Sequence, residues 1–190
     1  CPFGRRLGYR YDLCSRCGTL QLNPMPTPEE LKAAYTREYH AAGHYAEDPA
    51  KRNAAGRRVF EQMVRAYREY STTRARPLLD YGAGWGGLLQ VLHEQGHSVE
   101  GAEVSEVMAD ATRKAGYVVH PTDYEELAAR YPERYGAVFM CAVFEHLPRP
   151  AEALAAVYRM LVPQGLFISL QPTAHFARFW GRVLRFGIRT

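Results

Sequence analysis

The sequence predicts an α/β protein: a Rossmann-like, doubly wound parallel sheet preceded by a small cysteine-rich module. Three observations carry that expectation. From Arg76 onward, short apolar runs alternate with helical stretches of roughly ten residues, a pattern that implies right-handed crossovers and parallel strands. The stretch LLDYGAGWGG, Leu78 to Gly87, joins the first apolar run to a helical segment through a glycine-rich turn. Residues 1–26 are rich in Cys, Gly, Arg and Pro without a helical period, and read as a separate loop-and-hairpin module.

Composition sets the outer bounds. A chain of 190 residues that is 47% hydrophobic can bury one full core with a small appendage. A net charge of +4 permits an anionic partner but does not argue for nucleic acid. No apolar run reaches the roughly 18 residues needed to span a bilayer, and no signal peptide opens the chain. Four cysteines, Cys1, Cys14, Cys17 and Cys141, do not resemble a secreted disulfide framework, so a reduced, cytoplasmic setting is expected. The chain starts with Cys rather than Met, which suggests a piece of a longer sequence.

The elements follow in order. TPEELKAAY carries a helix start: Thr27 caps, Pro28 suits the first helical position, and Glu30 completes a capping box. A second helix is expected from about Pro49 to Tyr70, with Val59, Met63, Ala66 and Tyr67 on one face. Residues 27–75 therefore read as a helical cap, and 76–190 as the sheet domain. PLLDY is the first parallel strand, and LLQVLHEQ is a helix ended by Gly96. HSVEGAE is the second strand, followed by a helix capped by Ser105 and closed by Gly116. YVVH is the third strand and DYEELAARY a short helix. YGAVFMCAVF, PAEALAAVYRML and LFISLQP complete the pattern as strand, helix and strand, the last after a VPQG turn.

The glycine loop admits three ligands. A nucleotide-triphosphate loop needs Gly-Lys-Ser/Thr at its end, and GWGGLL has no Lys. A dinucleotide fits the spacing, because Gly82, Gly84 and Gly87 satisfy G-x-G-x-x-G. Asp80 argues against it: a carboxylate just before the loop would face the pyrophosphate, at a cost on the order of several kcal/mol. An ammonium and a sulfonium would instead be attracted.

D-Y-G-A-G-W-G resembles the D/E-x-G-x-G-x-G pattern of the class I S-adenosylmethionine (SAM)-dependent methyltransferases. The resemblance extends through MCAVFEHLPRPAEAL and YRMLVPQGLFISL, from about Leu78 to Pro172. It implies SAM as cofactor, a small-molecule acceptor, and Asp80, Gly82, Gly84 and Gly86 at the cofactor. Glu103, at the end of the second strand, can take both ribose hydroxyls, a feature that a SAM and an NAD site share. By the same resemblance Asp123 meets the adenine amine, Tyr124 flanks the ring, and Cys141 and Ala142 line the floor beneath the methionine part. Two departures stand out: Gly136 replaces the usual Asp before the fourth strand, and Trp85 stands where Cys or Thr is common.

Methyl transfer from a sulfonium needs positioning above all, and a base only when the acceptor is a neutral hydroxyl or a carbon acid. His146, in the EHL after the fourth strand, is the candidate, since histidine titrates near neutral pH; His175 is a second. Tyr39, His40, His44 and Tyr45 form an aromatic-polar cluster that either closes over SAM or decorates the surface. In the N-terminal module CSRCG has zinc-knuckle spacing, so Cys14, Cys17 and Cys1 are candidate zinc ligands, with a fourth upstream or absent. The module resembles those of methyltransferases that carry a zinc ribbon, several of which act on sugars or other small metabolites. Arg178, Arg182, Arg185 and Arg189, at helical spacing among aromatic residues, suit a lid, a membrane-surface helix or a solvated face. The fold usually adds two more strands after the fifth, so residues beyond Thr190 are expected. An NAD-dependent oxidoreductase, and a binding protein with a degenerate methyltransferase domain, remain the alternatives.

Overall fold

The computed structural model describes residues 2–6, 9–27, 29–31, 49–73 and 75–172. Cys1, the Tyr39–Tyr45 cluster, His175 and the C-terminal arginines lie outside the described residues.

The N-terminal module is a small antiparallel sheet of β1 (Pro2–Arg6), β2 (Tyr9–Leu13) and β3 (Leu20–Leu22), in that order. Tyr11 pairs with Leu22 and Leu13 with Leu20, which places Cys14 and Cys17 in the turn between β2 and β3. The capping box downstream forms as expected. Thr27 N donates to Glu30 Oε2 at 2.8 Å, and Glu30 N donates to Thr27 Oγ1 at 3.2 Å.

The second compact unit runs from Glu47 to Gln171. It opens with α1 (Pro49–Tyr70) and continues through β4 (Leu78–Tyr81), α2 (Gly87–Glu94), β5 (Val99–Ala102) and α3 (Glu106–Lys114). Then come β6 (Val118–His120), α4 (Tyr124–Arg130), β7 (Tyr135–Cys141), α5 (Pro150–Met160) and β8 (Leu161–Leu170). α1 belongs to this unit.

All five strands are parallel, in the order β6-β5-β4-β7-β8. The chain starts in the middle, winds outward to β6, then returns to the other side of β4. The loop after β4 therefore sits at the point where the winding reverses, where open α/β sheets bind their ligands. β4 is buried at all four positions because helices cover both faces. Leu79, Tyr81, Val138 and Met140 face α4 and α5, with Leu127, Ala156 and Val157 against them. Leu78, Ala137 and Phe139 face the other way, against Leu88, Val91 and Leu92 of α2 and Met63, Val64 and Tyr67 of α1.

Two sequence expectations shift. The buried face of α1 centres on Met63, Val64 and Tyr67, while Val59 and Ala66 are only partly covered. The stripe is turned towards Phe60 and Val64, the positions that meet α2. The last strand also begins earlier than expected: Leu161 already pairs with Tyr135, and the ladder resumes at Ala137 with Leu166 after a bulge. The VPQG turn is that bulge, with Gln164 at φ 65°.

Candidate cofactor site

The C-terminal ends of β4, β5 and β7 bring three sequence-predicted residues together. Asp80 pairs in register with Gly101 of β5 and Phe139 of β7, so its carboxylate stands at the centre of the sheet. It is 3% exposed, and its carboxylate makes no hydrogen bond among the described residues. Burial, and then the charge of Glu103, push its pKa up to about 7. Cys141, which ends β7, is half-buried; burial, with Asp80 and Glu145 nearby, pushes its thiol up to about 11. A thiol so raised is neutral near pH 7.

Glu103 follows β5 and is 7% exposed. Its Oε2 accepts from Gly84 N at 2.9 Å and its Oε1 from Ser105 N at 2.8 Å. Burial raises its pKa, against the lowering effect of these backbone donors. A carboxylate oxygen has two lone pairs, so each oxygen keeps capacity for a further hydroxyl donor.

The loop between Gly82 and Gly86 turns through three left-handed glycines, with φ of 79°, 53° and 79° at Gly82, Gly84 and Gly86. Their surroundings differ. A Cβ placed on Gly82 would lie 2.3 Å from Val143 Cγ2, whereas one on Gly84 would meet nothing within 4 Å. Gly84 is therefore the position open to a ligand. Gly86 closes the loop as the N-cap of α2.

Asp123 and Tyr124 sit at the start of α4, beyond the end of β6. Asp123 is exposed and caps the helix: its Oδ1 accepts from Glu125 N and Glu126 N, both at 3.0 Å. Tyr124 is 6% exposed and packs against Tyr81, with ring centroids 6.4 Å apart. It is more a core residue than the sequence suggested. Ala142 is exposed, at φ 54°, and its N donates to Leu170 O at 2.7 Å. His146 ends a 3-10 turn, Phe144–His146; its half-exposed ring lies 3.9 Å from Glu145 Oε1.

Two residues escaped the sequence reading. Asn53 of α1 donates from Nδ2 to Trp85 O at 3.0 Å, and Thr112 of α3 donates from Oγ1 to Gly84 O at 2.9 Å. Neither belongs to a local motif. Their only sequence signal is a polar residue on a helix that packs beside the loop.

Gly136, the departure before the fourth strand, has a packing reason. A Cβ there would lie 2.8 Å from Thr73 O, and Thr73 Oγ1 donates to Gly136 O at 3.1 Å. A cavity of about 470 Å³ lined by Arg76, Pro77, Arg130, Tyr131, Pro132 and Arg134 lies at the opposite, N-terminal edge of the sheet. It is not the cofactor cleft.

The expected zinc site is not complete among the described residues. Cys14 and Cys17 share a turn closed by Gly18 N to Cys14 O at 2.9 Å, and Cys17 Sγ donates to Thr19 Oγ1 at 3.3 Å. Hydrogen bonding with Thr19, and then with Cys14, lowers the Cys17 pKa. No group of three or more metal-ligating side chains occurs among the described residues, and a structural zinc takes four donors. Among those residues no helix is long and apolar enough to cross a membrane.

Strand order, glycine loop and the acidic residue after β5 together define a domain of the class I SAM-dependent methyltransferase type. The chain belongs to the methyltransferase domain family, whose model matches residues 34–186. It is similar to the ubiquinone biosynthesis O-methyltransferase of Saccharophagus degradans, 29% identical over 103 residues, 51% of this chain and 44% of that protein. The enzyme of the same name from Photobacterium profundum is 31% identical over 98 residues, 47% and 41% of the two chains. The chain thus spans less than half the length of these curated relatives. Among solved structures, a SAM-dependent methyltransferase from Archaeoglobus fulgidus superposes with a TM-score of 0.53 at 18% identity, over 78% of this chain and 73% of that one. A Pyrococcus horikoshii protein gives 0.56 at 22% identity, over 69% and 61%. At such identities these two structures speak for the fold.

Proposed function

We propose that this domain binds SAM and transfers its methyl group to a hydroxyl of a small-molecule acceptor. One observation carries the reading: Asp80 is buried, lacks a hydrogen-bond donor among the described residues and has Glu103 as its charged neighbour. Such a carboxylate is a receptor for a cation. SAM offers an ammonium and a sulfonium; a dinucleotide would instead bring a doubly charged pyrophosphate towards two carboxylates, at a cost on the order of several kcal/mol. The O-methyltransferase names of the curated relatives support a hydroxyl acceptor.

The residues divide the work. Asp80 takes the ammonium, and Glu103 the two ribose hydroxyls through the lone pairs its backbone donors leave. Asp123 keeps Oδ2 for the adenine amine while Oδ1 caps α4. Tyr124 presents the edge of its ring beside the adenine. Gly82, Gly84 and Gly86 shape the loop, and Cys141 and Ala142 close the floor. When bound, SAM supplies an electrophilic methyl and a thioether leaving group that needs no acid. The chain has to supply alignment, exclusion of water and a destination for the hydroxyl proton, with positioning worth up to about 7–11 kcal/mol in favourable cases. His146 is the candidate base for that proton.

Thermal melting separates the two cofactors. SAM and S-adenosylhomocysteine should each raise the melting temperature, while NAD should not. Stabilisation by NAD alone would sink the methyltransferase reading. Incubation with methyl-labelled SAM and a panel of hydroxylated small molecules then identifies the acceptor.

A further inference from the structure

The glycine loop is held from outside the sheet by two helices. Thr112 Oγ1 of α3 donates to Gly84 O at 2.9 Å, and Asn53 Nδ2 of α1 donates to Trp85 O at 3.0 Å. These are two consecutive carbonyls of the loop, caught from different helices. Thr112 is 1% exposed and so has little freedom to choose another partner.

Peptide planarity gives these bonds their consequence. The C=O of one residue and the N–H of the next lie in one plane and point in opposite directions. Holding Gly84 O therefore fixes the direction of the Trp85 N–H, and holding Trp85 O fixes that of the Gly86 N–H. The Gly86 N–H is thereby aimed at Ala83 O, to which it donates at 2.8 Å. Glu103 completes the arrangement by accepting from Gly84 N. Three consecutive peptide groups are oriented by side chains from α1, α3 and the end of β5.

The close approach of these helices accounts for two of the glycines. A Cβ on Gly86 would lie 2.9 Å from Thr112 Cγ2. One on Gly87 would lie 2.6 Å from Phe60 Cε2 and 2.9 Å from Asn53 Oδ1. The loop is wedged between α1 and α3, and only Gly84 is left facing open space.

We propose that Asn53 and Thr112 are positioning residues for the cofactor: they preset the loop's peptide planes, so that its conformation need not be ordered when the cofactor binds. The inference rests on the SAM reading above. Presetting acts on affinity, because a loop that must be ordered on binding subtracts its entropy from the binding free energy.

The test measures S-adenosylhomocysteine affinity by calorimetry, and melting temperature without ligand, for Asn53→Ala, Thr112→Val, Thr112→Ser and Asp80→Asn in the whole chain. Loss of one neutral hydrogen bond predicts about 3- to 10-fold weaker binding for Asn53→Ala and for Thr112→Val. Thr112→Ser keeps the hydroxyl and should stay within about twofold of the parent, a rescue that loss of a packed methyl group would not produce. If Asn53→Ala and Thr112→Val lower the melting temperature but leave affinity within twofold, the two residues only hold the fold and the proposal is overturned. Asp80→Asn separates the two readings: unchanged affinity there removes the cofactor assignment itself, whereas weakened affinity there with the other variants unchanged removes only the clamp.

Discussion

Gly84 N donates to Glu103 Oε2 at 2.9 Å, a bond that ties the loop after β4 to the end of β5. The other oxygen of Glu103 accepts from Ser105 N, which leads into α3. One carboxylate thus organises both the first and the second strand-to-helix connections before any ligand arrives. The backbone donors Gly84 N and Ser105 N hold it in place.

Glu103→Gln tests this double duty. The amide has one acceptor oxygen, so either Gly84 N or Ser105 N faces an NH2 group, and the ribose hydroxyls lose a charged acceptor. Hydrogen bonds to charged groups are worth about 1.5–3 kcal/mol, which predicts roughly 10- to 100-fold weaker S-adenosylhomocysteine binding. The melting temperature should also fall. Calorimetric titration with retained affinity would show that Glu103 serves the loop alone.

Asp80 predicts a pH dependence of binding. Its folded-state pKa is raised to about 7, so below pH 7 the ligand-free site holds a proton that a bound ammonium would displace. Affinity should therefore tighten as pH rises from about 5.5 to 7 and then level off, with proton release on binding below pH 7. The same shift makes the ligand-free fold lose stability as pH rises from the ordinary aspartate value of 3.8 towards 7, because the native state binds the extra proton. Titrations in buffers of different ionisation enthalpy measure the released proton. Asp80→Asn should bind weakly with a flat profile; a steep profile in that variant would place the titrating group elsewhere.

Much of this architecture was legible in the sequence, for local reasons. The boundaries of α1 and the capping box at Thr27 and Glu30 depend on residues a few positions apart, and both appeared as expected. The glycine loop and Glu103 were legible because a strand, a turn and a helix confine them to one edge of the sheet. Asn53 and Thr112 were not, since each acts on a carbonyl 28 to 32 residues away. The family resemblance implies that Tyr124 flanks the adenine ring. Its burial against Tyr81 was not legible, because it depends on the first turn of α4 pointing into the core. Composition could not reveal which glycines answer to packing and which to a ligand. That distinction needs the atoms around each one.

Two glycine substitutions make that distinction measurable. Gly82→Ala adds a methyl 2.3 Å from Val143 Cγ2 at a φ of 79°. Left-handed strain of about 1–2 kcal/mol plus overpacking of about 1–3 predicts a loss of about 2–5 kcal/mol and a fall of roughly 5–20 °C in melting temperature. Gly84→Ala meets no atom within 4 Å, so only the backbone strain remains. Its main effect should be on cofactor affinity. Equal losses of stability in the two variants would contradict the contrast between a packed and an open position.

Glu100 of β5 gathers three donors. His120 Nε2 lies 2.9 Å from its Oε2, Tyr135 OH donates to the same oxygen at 2.9 Å, and Arg134 pairs with Oε1. Burial alone would raise the pKa of Glu100, but the bonds from His120, Arg134 and Tyr135 outweigh it and hold it at about 2. The guanidinium of Arg134 also lies over two rings, 5.1 Å from the centroid of Tyr131 and 5.8 Å from that of Tyr135. Because the folded-state value is depressed, the stabilisation is complete above the ordinary glutamate pKa and disappears as pH falls towards 2. The shift is worth on the order of 2–3 kcal/mol at neutral pH, and less to the extent that solvent screens the partly exposed Arg134. Glu100→Gln should therefore unfold at lower denaturant concentration than the parent at pH 7. The gap should narrow between pH 4.5 and 2 as the parent's carboxylate is protonated. Asp80 titrates identically in both proteins and cancels from the difference. Chemical denaturation at pH 7, 4 and 3 measures the gap, and a difference that stays constant across that range would show that Glu100 contributes through packing and not through its charge.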